Sequence, residues 1–190
     1  MSESINFDPP KEELIGGKII MMSPMPTLNH NFAASNIFHI FKKYLKGKTC
    51  TAIADGSDVF LTKKDRVVPD VMVVCDRNML KKDGVYGAPD LIVEVLSPST
   101  AKRDKGYKKD LYEKCGVKEY WLVEPVNKSI DVYLLNNGKY MLDNVYSIYP
   151  DYMLNKMTAK EKEEIVTEFK TSLFHDLVIL LEEAFEGFIE

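Results

Sequence analysis

Two stretches of branched apolar residues, 66–74 and 89–96, each hold one carboxylate inside a run that reads as buried strand: Asp70 in the first and Glu94 in the second. Nearly continuous apolar strands are covered on both faces, so both acids are expected to point into the interior. A buried, unpaired carboxylate is costly. The chain must therefore supply a cation, a shell of hydrogen bonds or a metal ion to keep Asp70 and Glu94 there.

The remaining sequence limits what that site can belong to. With 190 residues, 45% of them hydrophobic, the chain can bury a full core as one domain spanning 1–190. A formal net charge of -4 argues against coating nucleic acid non-specifically but leaves room for a local basic patch. Cys50, Cys75 and Cys115 are odd in number, far apart and free of C-x-x-C spacing, which reads as reduced thiols in a cytoplasmic protein. The three histidines add no familiar zinc spacing. No apolar run reaches membrane-spanning length, and the polar start at 1–4 does not resemble a signal peptide.

Turn and periodicity signals order the chain as strand, helix, three strands, helix, three strands, helices. Gly16 and Gly17 mark an opening hairpin, whose second strand is stopped at Ser23 and Pro24. Helical spacing predicts a first helix over 28–46. A strand over 49–61 and the two acid-bearing strands follow, with a charged loop around 81–84. A second helix is expected over 101–115, stopped by Gly116, then a strand over 119–123 and a hairpin turning at Asn136-Asn137-Gly138. A charged helix over 158–169, opened by a Thr158 and Glu161 capping box, and a last helix with its stripe from Leu173 to Phe188 complete the chain. This order predicts an α/β or α+β fold, one mixed β-sheet flanked by helices.

The second helix starts directly after the Glu94 strand and offers five lysines. At about 100° per residue, Lys108 falls inside the apolar arc with Leu111, Tyr112 and Cys115, whereas Lys102, Lys105, Lys109 and Lys114 fall on the rim or the solvent side. Only Lys108 then needs a buried explanation, and Asp104, one turn earlier, is its natural partner. An ordinary half-buried ion pair would look the same. Two strand-embedded acids beside an inward lysine favour a functional site instead.

The motifs Val68-Pro69-Asp70-Val71, Gly87-Ala88-Pro89-Asp90-Leu91-Ile92-Val93-Glu94-Val95-Leu96-Ser97-Pro98, Asp104 with Lys108, and Gly116-Val117-Lys118-Glu119-Tyr120-Trp121 resemble the bacterial restriction-endonuclease-like family formerly known as a domain of unknown function. That family belongs to the PD-(D/E)XK nuclease superfamily. The resemblance covers most of the chain and implies a metal-dependent endonuclease acting on DNA. It implies Mg²⁺ or Mn²⁺ held by Asp70, Glu94 and the Val95 carbonyl, with Lys108 orienting or deprotonating the attacking water and Asp104 placing Lys108. The superfamily's usual lysine, two residues after the second acid, is replaced here by Leu96, and Lys108 is the position that matches.

Other residues carry weaker readings. Lys102, Arg103, Lys105 and Lys109 crowd the start of the second helix as contacts for a DNA backbone, or as a solvated face. Ser97 binds water or phosphate at the strand end, or is a turn residue. Glu13 and His30 match positions that are often acidic or His in the family and line the site, or are structural. Asp90, four residues before Glu94, lies about 13 Å away along a strand and reads as a strand-start residue. A homodimer would suit duplex cutting. The competing reading is a catalytically inactive nuclease fold that binds nucleic acid or a protein partner.

Overall fold

The computed structural model describes residues 12–22, 25–54 and 56–189. The polar start at 1–4 and the strand stop at Ser23 and Pro24 lie outside the described residues. The chain opens with the expected hairpin, β1 (Glu12–Ile15) paired with β2 (Lys18–Met21), turning on Gly16 and Gly17 at φ of 58° and 79°. Helix α1 (Leu28–Tyr44) is capped by Thr27, whose side chain accepts the His30 amide, and it buries Ala33, Ile37 and Phe41.

Two expected strands are broken. Residues 49–61 divide into β3 (Thr51–Ala54) and β4 (Val59–Thr62), and residues 66–74 divide into β5 (Asp65–Val67) and β6 (Val71–Val74). Pro69 has no N–H to give a ladder and restricts the residue before it, so the chain leaves one sheet at Val67 and joins another at Val71. The expected charged loop at 81–84 is a small hairpin, β7 (Leu80–Lys81) and β8 (Gly84–Tyr86). Strand β9 (Leu91–Val95) is buried throughout, as its composition predicts.

The second helix covers 101–115 but in three parts: α2 (Ala101–Arg103), a π-helical stretch (Asp104–Lys108) and α3 (Lys109–Cys115), stopped by Gly116 at φ 90°. Strands β10 (Glu119–Glu124), β11 (Ser129–Asn136) and β12 (Lys139–Ser147) follow, the last two joined through Asn137 and Gly138, both at positive φ. One short helix, α4 (Asp151–Leu154), precedes α5 (Ala159–Glu163), which carries the expected capping box but ends six residues early. The rest of that segment pairs as β13 (Glu168–Lys170) with β14 (Val178–Leu180). The expected last helix shrinks to α6 (Leu181–Ala184). Leu177, Leu181, Ala184 and Phe185 are still buried, but Leu180 is 37% exposed, so strand pairing overrides the helical period there.

The single expected sheet is two. One has the order β2-β1-β5-β4-β8-β7 and the other β12-β11-β10-β9-β6-β3, each mixed, with a separate β13-β14 ribbon. The second sheet buries Val71, Val73, Leu91, Val93 and Trp121 with α1, while Met72, Ile92 and Leu122 meet Val59, Val67 and Val85 of the first sheet together with Leu111 and Tyr112 of α3. The α+β class with mixed sheets flanked by helices holds. The reading of three free thiols does not, because Cys50 and Cys75 form a disulfide and only Cys115 is free among the described residues. Antiparallel pairing of Thr51 with Val74 sets the two cysteines opposite each other, a proximity that their separation of 25 residues hides.

Candidate active site

Glu94 extends from β9 on the face that carries Ile92, opposite Leu122 of β10, into the core between the two sheets and α3. It is buried, and its Oε1 accepts the Tyr112 hydroxyl at 2.6 Å and lies 2.7 Å from the Lys108 Nζ. Burial pushes the Glu94 carboxyl well above its ordinary range. Lys108 pulls it back, while Asp104, Asp70 and Glu13 add to the rise.

Lys108 does occupy the inner face of the helical run, with a side chain 3% exposed. Its ammonium is 2.9 Å from Glu13 Oε1 and 3.8 Å from Asp104 Oδ1, so Asp104 is the more distant of three carboxylate partners, after Glu94 and Glu13. Burial opposes the charged lysine, but these three acids outweigh it and raise its pKa. Asp104 itself is raised by burial against the pull of Lys108. The π-helical stretch that carries both residues is fixed from the sheet by Tyr120, whose hydroxyl donates to the Asp104 carbonyl at 3.0 Å.

Glu13 of β1 has no exposed side-chain surface, accepts the Val68 amide at 3.0 Å and lies 3.6 Å from Arg103 Nε. Three buried carboxylates thus meet one buried lysine and one partly exposed arginine. Asp70 corrects the expectation of a strand-embedded acid. It sits in the break just before β6, with a side chain 16% exposed. Its Oδ2 accepts the Val95 amide at 2.7 Å, which ties the end of β9 to the start of β6, and lies 3.5 Å from His30 Nε2 at the start of α1.

The structure therefore brings Asp70, Glu94, Lys108, Asp104, Glu13 and His30 into one cluster. It does not gather the basic residues of the second helix into one surface. Arg103 turns inward to Glu13, Lys109 lies 4.0 Å above the Tyr133 ring, and Lys102 and Lys105 are exposed. Ser97 is part of a turn, its hydroxyl 3.0 Å from Ser99 Oγ and 3.1 Å from Thr100 Oγ1. Asp90 accepts the Cys75 amide and pairs with Lys118, as a strand-start residue would. Tyr112 was not anticipated as a site residue. Its only signal was its place beside Lys108 on the apolar arc.

The donors suit a hard cation: carboxylate and carbonyl oxygens, no thiolate, and more buried carboxyl groups than buried cations among the described residues. Among the described residues no three His, Cys, Asp or Glu side chains stand close enough to hold one ion. Two carboxylates completed by water and phosphate oxygens are the arrangement that Mg²⁺ favours. By donor chemistry Asp70 and Glu94 are carboxylates of that kind, the first partly exposed and the second buried against Lys108 and Tyr112.

Residues 3–167 match the Uma2 family, described as "Putative restriction endonuclease". An uncharacterized protein from Synechocystis sp. is 31% identical over 137 residues, covering 70% of this chain and 72% of that protein. The crystal structure of a "putative nuclease belonging to DUF820" from Anabaena variabilis covers 93% of this chain and 90% of its own, with a TM-score of 0.68 at 22% identity, so the two share a fold.

Proposed function

The chain belongs to the Uma2 family of restriction-endonuclease-like proteins, and from that premise we propose that it is a Mg²⁺- or Mn²⁺-dependent endonuclease that hydrolyses phosphodiester bonds in DNA. The observation that carries this reading is a buried lysine 2.7 Å from Glu94, one carboxylate of a pair whose other member, Asp70, hydrogen-bonds to the next residue along the strand. Asp70, Glu94 and the Val95 carbonyl would hold the ion, which when bound polarises a phosphoryl oxygen and makes bound water a better nucleophile.

The chain's own residues define the rest. Lys108, with its pKa raised by Glu94, Glu13 and Asp104, is held protonated. Its role is then to donate a hydrogen bond and offset charge on the phosphoryl group, rather than to accept the proton of the attacking water. Asp104 and Glu13 keep the ammonium beside Glu94. Exposed Lys102 and Lys105 meet the phosphate backbone, while Arg103 and Lys109 serve internal contacts first. No described helix is long and apolar enough to cross a membrane. The proposal includes a homodimer whose two sites address the two strands of a duplex, while the Cys50–Cys75 disulfide removes the thiol argument for a cytoplasmic location.

The test is cleavage of supercoiled plasmid and of a folded RNA with Mg²⁺, Mn²⁺ or chelator, for the wild type and for Asp70→Asn, Glu94→Gln and Lys108→Ala. Metal-dependent nicking or linearisation of the plasmid, lowered at least about 100-fold by each substitution, is the expected result. Cleavage that persists in chelator or in Asp70→Asn would sink the proposal. One observation favours the second reading, an inactive fold that binds nucleic acid or a protein partner: Glu94 Oε1 is already satisfied within the protein by Lys108 and Tyr112. Salt-sensitive DNA binding that survives all three substitutions, without cleavage, would select it.

A further inference from the structure

Tyr112 lies in α3 with its ring fully buried against Tyr120, centroids 5.1 Å apart, and its hydroxyl is the one polar group it brings into the core. That hydroxyl donates to Glu94 Oε1, the same oxygen that Lys108 approaches. Two donors thus converge on one carboxylate oxygen, Oε1. A carboxylate held by one donor can swing about it. Held by two donors from one side, it presents its other oxygen in a fixed direction. The two donors reach Oε1 from different parts of the helical run: Lys108 from the end of the π-helical stretch and Tyr112 one turn later in α3.

We propose that Tyr112 is a positioning residue for Glu94: with Lys108 it pins Oε1 so that Oε2 is the oxygen offered to the divalent cation. This inference rests on the metal-site reading above and goes beyond it by assigning a role to a residue outside the acids and the lysine. Groups that hydrogen-bond to a metal ligand fix its orientation, and losing one weakens metal binding about 10- to 100-fold. A buried tyrosine could instead serve packing alone. The two roles separate because Tyr112→Phe keeps the ring and its contact with Tyr120 while removing only the hydroxyl.

The experiment is calorimetric titration of Mn²⁺, in the presence of a phosphorothioate DNA duplex, into the wild type, Tyr112→Phe, Asp70→Asn and Tyr140→Phe. Tyr140 is the control because its half-buried hydroxyl donates to the Val117 carbonyl, outside the cluster. The expected result is Mn²⁺ affinity abolished by Asp70→Asn, lowered about 10-fold or more by Tyr112→Phe, and unchanged by Tyr140→Phe. Binding by Tyr112→Phe within about 2-fold of the wild type, with Asp70→Asn still inactive in binding, would overturn the role of Tyr112 and leave the metal site standing. An equal loss in Tyr140→Phe would also overturn it, as a packing effect. No Mn²⁺ binding by the wild type would overturn the metal reading itself, and the role of Tyr112 with it.

Discussion

Lys108→Met removes the one buried cation that the described residues place in the carboxylate cluster and nearly preserves side-chain volume. The ammonium it deletes lies 2.7 Å from Glu94, 2.9 Å from Glu13 and 3.8 Å from Asp104. Deleting one partner of a buried ion pair leaves an uncompensated charge and costs about 3–5 kcal/mol. For a chain of this size that is a fall of about 6–20 °C in unfolding temperature. The loss depends on pH in a definite direction. Glu94 already has a raised pKa, and without Lys108 it rises further, so the variant can relieve the penalty by taking up a proton. A carboxyl with a raised folded-state pKa contributes stability at low pH that is lost as pH climbs through that pKa. The deficit of Lys108→Met relative to wild type should therefore shrink toward acid and grow toward alkaline pH. Adding Glu94→Gln should recover part of the loss, with a favourable coupling in a double-mutant cycle. Urea unfolding across a pH series measures all of this. A deficit under about 1 kcal/mol, or one that does not change with pH, would refute the reading of Lys108 as the counter-charge of the cluster.

Three further outcomes follow from features away from the cluster. Buried Asp65 accepts the Gly16 amide, the Thr62 hydroxyl and the Tyr107 hydroxyl; burial opposes its charge, but these bonds outweigh it and lower its pKa. Its contribution is present above the unfolded carboxyl pKa and is lost as pH falls through the lowered one, so Asp65→Asn should cost about 1–3 kcal/mol near neutrality and less in acid, read by urea unfolding. Reduction of the Cys50–Cys75 disulfide, which closes a loop of 25 residues, should lower stability by about 3.5 kcal/mol on the chain-entropy account. Thiol titration of the unfolded, unreduced chain should find one free cysteine, and three would refute the pairing. Gly84 sits at φ 151° with the Asp58 carbonyl oxygen 2.4 Å from where a Cβ would lie, so Gly84→Ala should unfold at a clearly lower temperature, whereas Gly47→Ala, open on all sides though also at positive φ, should lose much less.

How far the fold could be read depended on how local each signal was. The Thr158 and Glu161 capping box, the Gly116 stop and the Asn137-Gly138 turn are settled by a few adjacent residues, and each appears where the sequence puts it. Glu94 is legible because β9 is otherwise apolar, and Lys108 because one lysine of five falls on the apolar arc. Asp70 was misplaced because 66–74 has the composition of one strand, while Pro69 ends the ladder and sends the chain to a second sheet. The C-terminal stripe carries a helical period but folds as a ribbon and one helical turn, since pairing of Phe169 with Ile179 is a long-range choice. The disulfide and the Tyr112 bond to Glu94 depend on pairing and packing partners that no window of sequence contains.

The position of Lys108 follows from what a lysine beside a buried acid must do. Two residues after Glu94 the chain has already left β9, and Leu96 is buried in the apolar core with Leu111 and Val117. A lysine there would replace an apolar side chain of that core. The next helix reaches Glu94 from the other side, and its π-helical stretch ends at Lys108, so the charge arrives without costing an apolar strand position. Glu13 and Asp104 then add two more buried carboxylates around a single ammonium. For stability alone this is a poor arrangement, because apolar residues of similar volume would commonly be as stable or more so. Three buried carboxyl groups around one ammonium are therefore not explained by folding stability alone, and the divalent cation proposed for Asp70 and Glu94 would give them a role.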